Sequence, residues 1–258
     1  MKNIFAVAGV VIKELYRRKD FYVLFIITVL ICLVMASVNI FNDAKIARYL
    51  KEICLLLVWI SALVIAITTA ARQIPAEREN RTLLPLLAKP LSRPQLIFGK
   101  FLGCWLACGL TLLCFYIFFG ALSAASEHQW LVLDYFQAGV MHWFMLGIVV
   151  AMALLGSLVF AAPSSNSTIC FIVIGGILFV GRHLDQVAVS MHEPLRTVVN
   201  ILYYIVPHLE FYDLRDLVIH NWPLIEWKYI LLALLYAVAY ILAFLLGACL
   251  VFRRKPVN

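Results

Sequence analysis

The sequence predicts an all-α polytopic membrane protein with about six transmembrane helices. Of its 258 residues, 64% are hydrophobic and only 14% are charged, whereas soluble domains usually carry about 25% charged residues. The mean hydropathy is +0.97, and the apolar residues form blocks near the roughly 20 residues that cross a hydrocarbon core. These observations exclude a soluble domain and predict a single transmembrane domain over residues 1–258.

The chain begins with a predicted interfacial helix over residues 1–20. Its apolar face runs from Ile4 to Tyr16, and a cationic cluster occupies the stretch from Lys13 to Lys19. An amphipathic helix with a basic end suits the headgroup layer of a membrane.

Six apolar blocks predict the membrane spans. Their predicted bounds are 21–41, 53–71, 101–124, 138–162, 168–181 and 229–252. The fifth block is short for a full crossing, and a turn at residues 163–167 joins it to the fourth. Gly99 and Gly103 form a small-xxx-small step that lets another helix approach the start of the third span.

The polar stretch 72–100 contains four prolines, which forbid one uninterrupted helix. Pro75 fits the first turn of a helix, and Glu77 and Arg81 form an i,i+4 pair with the acid first. We therefore expect a structured loop with a short helix from about Pro75 to Leu84. The leucines at the end of that helix form an apolar patch that needs a covering surface, either a partner or the membrane itself.

The second long polar stretch covers residues 182–228. It mixes half-length apolar segments with Pro194, Pro207 and Pro223, which predicts re-entrant half-helices before the last span. Its histidines and acids are ligand types for a metal or a cationic substrate, but their spacing matches no metal motif, and a solvated amphipathic surface is the preferred interpretation.

The distribution of Lys and Arg predicts the orientation. Fourteen of the 21 lie in the two termini and the 72–100 loop, and seven lie in the opposite loops. Both termini and the 72–100 loop are therefore expected in the cytoplasm and the 182–228 region outside, in the inner membrane of a bacterium. The net charge of +7 does not indicate nucleic-acid binding, because the basic residues border the apolar blocks, where they meet lipid headgroups.

The sequence carries no catalytic motif. Its Gly-Lys pair, Gly99-Lys100, lacks the upstream glycine of a phosphate-binding loop, so we expect no nucleotide site and no enzyme activity in this chain alone. His192-Glu193 begins like a zinc-protease signature, but Arg196 stands where the second histidine belongs. All seven cysteines lie in apolar blocks as small fillers. We expect no cofactor and no metal.

The six predicted spans contain no Asp, Glu, Lys or Arg, and one histidine, His142. Ion-coupled carriers commonly place ionisable groups in mid-membrane, so their absence argues against a secondary transporter or ion channel. It suits a pathway for an apolar or amphipathic substrate, or a mechanical transmitter that moves nothing through its spans.

The 72–100 loop resembles a segment of a known family. The motifs that carry the resemblance are Glu77-Arg78-Glu79, Thr82-Leu83, Leu86-Leu87, Lys89-Pro90-Leu91-Ser92-Arg93 and Gly99-Lys100. They are similar to the segment between the second and third spans of type-2 ABC exporter permeases, including those of the nitrous oxide reductase maturation and gliding-machinery type. The order of interfacial helix, spans and external segment is similar as well.

The resemblance implies partners and a site. In that family, two permease subunits pair, two ATPase subunits bind on the cytoplasmic side with ATP and Mg, and a coupling helix after the second span transmits closure of the ATPases. Here it implies a second permease subunit, preferably in a homodimer, and membrane lipid around it. The residues implied at the ATPase contact are Glu77, Arg78, Glu79, Arg81, Thr82, Leu83 and Leu84.

The sequence thus predicts the permease subunit of an ABC exporter powered by a separate ATPase. The alternative is an ABC mechanotransmission module that drives a periplasmic partner through the 182–228 region. The export direction follows from the resemblance alone, and the sequence identifies no substrate.

Overall fold

The computed structural model describes residues 2–17, 19–38, 44–79, 92–127, 132–190 and 192–254, and in these ranges every regular element is a helix. The α-helices are α1 Lys2–Tyr16, α2 Lys19–Val38, α3 Ala44–Ala71, α4 Pro75–Glu79, α5 Arg93–Glu127, α6 Val132–Val159, α7 Pro163–Ser190, α8 Leu195–Ile205, α9 Arg215–His220 and α10 Trp227–Arg254. A 3₁₀ helix, Leu209–Tyr212, lies between α8 and α9. The predicted contact residues Arg81, Thr82, Leu83 and Leu84 lie outside the described residues.

Four of the described helices, α3, α5, α6 and α10, are long and apolar enough to cross a membrane. The helix α2, of 20 residues, lies where the first span is predicted. The apolar part of α7, Pro163–Phe179, lies where the short fifth span is predicted. The all-α polytopic membrane fold is confirmed.

The helices extend beyond the predicted spans. The helix α3 begins at Ala44, before the predicted start of the second span at residue 53, and α5 begins at Arg93, within the predicted 72–100 loop. A charged or polar end lowers the hydropathy of a segment without breaking its helix, so hydropathy marks the embedded part and misses the protruding turns.

The predicted turn at residues 163–167 is wrong, because α7 begins at Pro163. Proline is favoured in the first turn of a helix, where its missing N–H costs no hydrogen bond, and the chain turns at residues 160–162 instead. The helix continues through Ser190 into the predicted external region. Its 28 residues are about 42 Å long, but its apolar part, Pro163–Phe179, is shorter than the four helices that are long and apolar enough to cross a membrane.

The core is built around α6, which packs against α3, α5, α7 and α10. Its central residues from Met145 to Ala151 are all buried. Two ends of the bundle can be distinguished. The α4 end contains α1, α4 and the C-terminus of α10, and the α9 end contains α8, α9 and the N-terminus of α10.

The helix α1 lies against α5, where the small-xxx-small step is found. A Cβ atom on Gly99 would lie 2.8 Å from Val7 Cβ, and one on Gly103 would lie 2.7 Å from Val11 Cβ. Real Cβ atoms do not approach so closely, so both positions require glycine. The close helix approach predicted from this step is confirmed, and α1 is the helix that makes it.

Two tryptophans join α5 to α6. Trp105 Nε1 donates to the carbonyl oxygen of Trp143 at 2.9 Å, and Trp143 Nε1 donates to that of Trp105 at 3.0 Å. Their rings stack at 4.7 Å, and each ring lies on a glycine of the facing helix, Gly147 or Gly109. The indole N–H groups of Trp105 and Trp143 therefore both have an acceptor, as burial favours.

Candidate functional site

At the α4 end, a buried lysine on α5 contacts α4 and Gln73, a residue of the turn after α3 whose side-chain amide donates to the backbone oxygen of Thr69 on α3. Lys100, on α5, lies 2.6 Å from Glu77 Oε1 on α4. Its ammonium also donates to the backbone oxygen and the side-chain oxygen of Gln73, both at 3.1 Å. The Lys100 side chain is only 4% exposed and that of Glu77 is 19% exposed. A lysine at such depth is tolerated because its three donors all have acceptors, one of them charged.

The remaining described residues of the predicted contact are more open to solvent. Arg78 is half-buried and Glu79 is exposed, at the last position of α4. The structure therefore divides the Glu77-Arg78-Glu79 motif: Glu77 is paired within the chain, and Glu79 is available to a partner.

Arg93 anchors the other side of the 72–100 segment. Its Nη1 donates to the backbone oxygen of Phe252 at 2.8 Å and to that of Arg253 at 3.3 Å, and its guanidinium lies 5.4 Å from the centre of the Phe252 ring. The last carbonyls of a helix lack partners within it, and a cation there also suits the helix dipole. Both sides of the segment are therefore attached to the bundle.

A buried asparagine joins α7 to the same end. Asn166 is fully buried, and its amide donates to the backbone oxygen of Ala153 at 2.9 Å and to that of Ala71 at 3.5 Å. It thereby connects α7 with α6 and with the end of α3. Asn166 also begins an Asn-Ser-Thr sequon, and its burial shows a packing role for this side chain.

A groove of about 500 Å³ lies mainly between α3 and α7. The residues that line it on these helices are apolar, including Trp59, Ile60 and Val64 on α3 and Ile174 and Phe179 on α7. This volume is within the range of small-molecule sites. The sequence did not predict the groove, because more than a hundred residues separate its two walls.

Charged side chains line the α9 end of the groove, namely Glu210, Asp213 and Arg215. Arg215 donates to both carboxylate oxygens of Asp213 at 2.8 Å, and its guanidinium lies 5.1 Å from the Trp59 ring. The hydrogen bonds to Asp213 raise the pKa of Arg215, although burial opposes the shift. Asp213 and Arg215 therefore form a neutral pair.

Glu210 has a different environment. Its Oε1 lies 3.4 Å from His208 Nδ1, and its Oε2 is buried with no hydrogen-bond partner. A Cβ atom on Gly181 would lie 3.1 Å from this Oε2, so the carboxylate lies against α7. Among the described residues, no three His, Cys, Asp or Glu side chains meet as a metal site.

The family model described as ABC-2 family transporter protein matches residues 26–257, nearly the whole chain. This chain belongs to the ABC-2 transporter family. It is the membrane-spanning permease subunit of an ABC transporter, and membership implies an ATPase partner. No curated protein matches the chain.

For this ABC-2 permease, the sequence identified the segment that contains α4 but missed the attachments of that segment. Lys100 and Arg93 were recognised only as parts of a motif, and Gln73 was not singled out. The apolar residues on either side of Lys100 could have indicated that its ammonium has hydrogen-bond acceptors within the protein. A lysine in the helical sequence IFGKFLG requires acceptors once it is buried.

Proposed function

We propose that this permease is the membrane subunit of an exporter, with α4 as the coupling helix and two separate ATPase subunits that bind ATP and Mg. Two copies of the permease, or two close relatives, form the transmembrane unit. The bias of Lys and Arg supports a cytoplasmic α4 end. The observation that carries the proposal is the Lys100 network, which attaches α4 to two spans beside the exposed Glu79.

The network supports a mechanical route from the ATPase to the spans. A helix of five residues has little stability of its own, so α4 moves with the groups that hold it. A force on Arg78 and Glu79 would reach α3 through Gln73 and α5 through Lys100. The helix α3 also forms one wall of the groove, so ATPase closure would change the shape of the groove.

This route assigns two roles to the predicted contact residues. Glu77 positions α4, while Arg78, Glu79, Arg81, Thr82, Leu83 and Leu84 supply the surface that meets the ATPase. The leucines suit the apolar centre of such an interface, and the charged residues suit its rim.

The groove is the proposed binding region for the substrate, between the two permease subunits. The permease would alternate between states open to the cytoplasm and to the outside as the ATPases close and open. A mostly apolar wall suits an amphipathic or lipid-like substrate.

The decisive experiment is co-purification with the ATPase followed by measurement of ATP hydrolysis. We expect the double variant Glu79→Lys and Leu83→Asp to insert normally and to lose the effect of the permease on the hydrolysis rate. The control is Glu226→Lys with Leu224→Asp, because both residues are exposed and lie at the α9 end. Normal coupling in the first variant removes the loop from the mechanism, and a complex without an ATPase refutes the proposal.

A second candidate function is mechanotransmission to an external partner. The helix α8 favours it, because the apolar residues Leu195, Val198, Ile201 and Tyr204 are all exposed on it. Such a surface needs lipid or protein to cover it. ATP-dependent movement of a solute in proteoliposomes supports the exporter. ATP-dependent work on a bound periplasmic protein, without solute movement, supports the alternative.

A further inference from the structure

The groove joins an apolar wall to a buried carboxylate. Its sides, formed by α3 and α7, are apolar over most of their length. Its α9 end has three charged residues, and the pair of Asp213 and Arg215 is neutral because both carboxylate oxygens accept from the guanidinium. The third charged residue at this end is Glu210.

The second carboxylate oxygen of Glu210 has no hydrogen-bond partner. Oε1 faces His208 at 3.4 Å, while Oε2 is shielded from solvent without a hydrogen-bond partner. Burial of an ionised oxygen without a partner costs free energy. A positive group bound beside the carboxylate would offset part of that cost, and the apolar surroundings would strengthen the attraction.

We propose that the groove binds an amphiphilic cation, with its positive group at Glu210 and its apolar body along α3 and α7. This inference rests on the proposed transport function and narrows the substrate class. An anion is disfavoured, because Glu210 would repel it and because the positive charge of Arg215, the guanidinium that lines the described part of the groove, is already paired with Asp213. A neutral apolar molecule would fill the groove but would place no positive charge beside Glu210.

Aromatic side chains at the same end suit this ligand. Phe179 lines the groove and is 83% exposed, so its ring is open to an incoming molecule. Cations are attracted to the faces of aromatic rings. Trp59 already has the Arg215 guanidinium over its ring. Of the two phenylalanines that line the groove, Phe171 and Phe179, Phe179 is the nearer in sequence to Gly181, which lies against Glu210.

The test uses the permease alone in lipid nanodiscs, with rhodamine 6G as the amphiphilic cation and dodecanoylaminofluorescein as the amphiphilic anion. Binding is measured by fluorescence anisotropy against empty nanodiscs. We expect the cation to bind more tightly than the anion. We expect Glu210→Gln to weaken cation binding about tenfold, since a hydrogen bond to a charged group is lost. The matched control Glu226→Gln makes the same change at an exposed glutamate and should have no effect.

A second variant tests the apolar wall without changing any charge. Gly175 lines the groove, and a Cβ atom there would meet nothing within 4 Å. Gly175→Leu should therefore fill the groove without a clash and abolish binding of the cation. Gly120→Leu is its control, because Gly120 has equally open surroundings and does not line the groove.

Equal binding of the two dyes, no detectable binding, or unchanged affinity in Glu210→Gln would each overturn the inference. If Glu210→Gln does not fold, the dye preference of the unaltered protein and the result for Gly175→Leu decide the question. No ATPase is present, so a negative result here leaves the coupling experiment unaffected. The converse result is that the cation binds through Glu210 while the α4 variant, Glu79→Lys with Leu83→Asp, still couples normally to the ATPase. That combination would contradict the proposed coupling route and leave the binding inference standing.

Discussion

Replacement of Glu77 by Gln preserves the shape of the side chain and removes the charge that faces Lys100. At 2.6 Å between Lys100 Nζ and Glu77 Oε1, two unit charges attract by about 6 kcal/mol at an effective dielectric constant of 20. Most of that energy is offset by desolvation, and loss of one partner of a buried pair costs about 3–5 kcal/mol. Glu77 is 19% exposed and Lys100 keeps both oxygens of Gln73, so we expect about 2–3 kcal/mol of destabilisation.

The assay is thermal unfolding of the purified permease, with Glu79→Gln as the control on the same helix. For a chain of this size, the expected loss corresponds to a decrease in Tm of about 4 °C or more. The control should change the free energy of unfolding by less than about 0.5 kcal/mol, because Glu79 is exposed. Equal effects of the two substitutions would refute the argument that Glu77 holds α4 in place.

A double-mutant cycle with Lys100→Met sharpens the test. If the two charges stabilise each other, the double variant is more stable than the sum of the single effects predicts, by about 1–3 kcal/mol. An additive result would show that the pair is not coupled. The same variants should also reduce the effect of the permease on ATP hydrolysis, since α4 would no longer move with α5.

Two further predictions concern the packing that supports the site. Gly103→Leu should displace α1 and lower Tm by several degrees, because a Cβ at that position would lie 2.7 Å from Val11 Cβ. The control Gly120→Leu should leave Tm unchanged. Equal Tm values for the two variants would contradict the close approach of α1 to α5. Trp105→Phe should destabilise the protein by about 1 kcal/mol through loss of its hydrogen bond to Trp143. The control Trp222→Phe should have little effect, because Trp222 is 55% exposed. Equal free energies of unfolding for the two variants would contradict a stabilising role of the Trp105–Trp143 hydrogen bonds.

Much of the fold could be predicted because its signals are local. A block of apolar residues has a favourable transfer free energy into lipid whatever its neighbours are, so each described span lies where an apolar block predicts one. Errors fell at the ends of helices. The predicted turn at residues 163–167 includes Pro163, yet proline is equally suited to the first turn of α7.

The candidate site was predicted only in part. The motif with Glu77 and Glu79 indicated a contact surface, and the structure shows that the two acids have different environments. Their spacing of two residues places them on different sides of a helix. Which side faces the bundle depends on Lys100 and Gln73, and sequence spacing alone does not reveal that those side chains meet.

The sequence alone was sufficient for the membrane fold and the glycine step at Gly99 and Gly103, because these depend on composition and short-range spacing. It also indicated the ABC-2 type of permease, through the resemblance of the 72–100 loop to that family. Tertiary structure was needed to identify α1 as the helix on that step, to pair Glu77 with Lys100 and to bring Glu210 to the end of the groove. The physical reason is that long-range contacts depend on how whole helices pack. Helices far apart in sequence form the groove, and the Glu210 carboxylate at its end becomes a candidate ligand contact because of the apolar walls beside it.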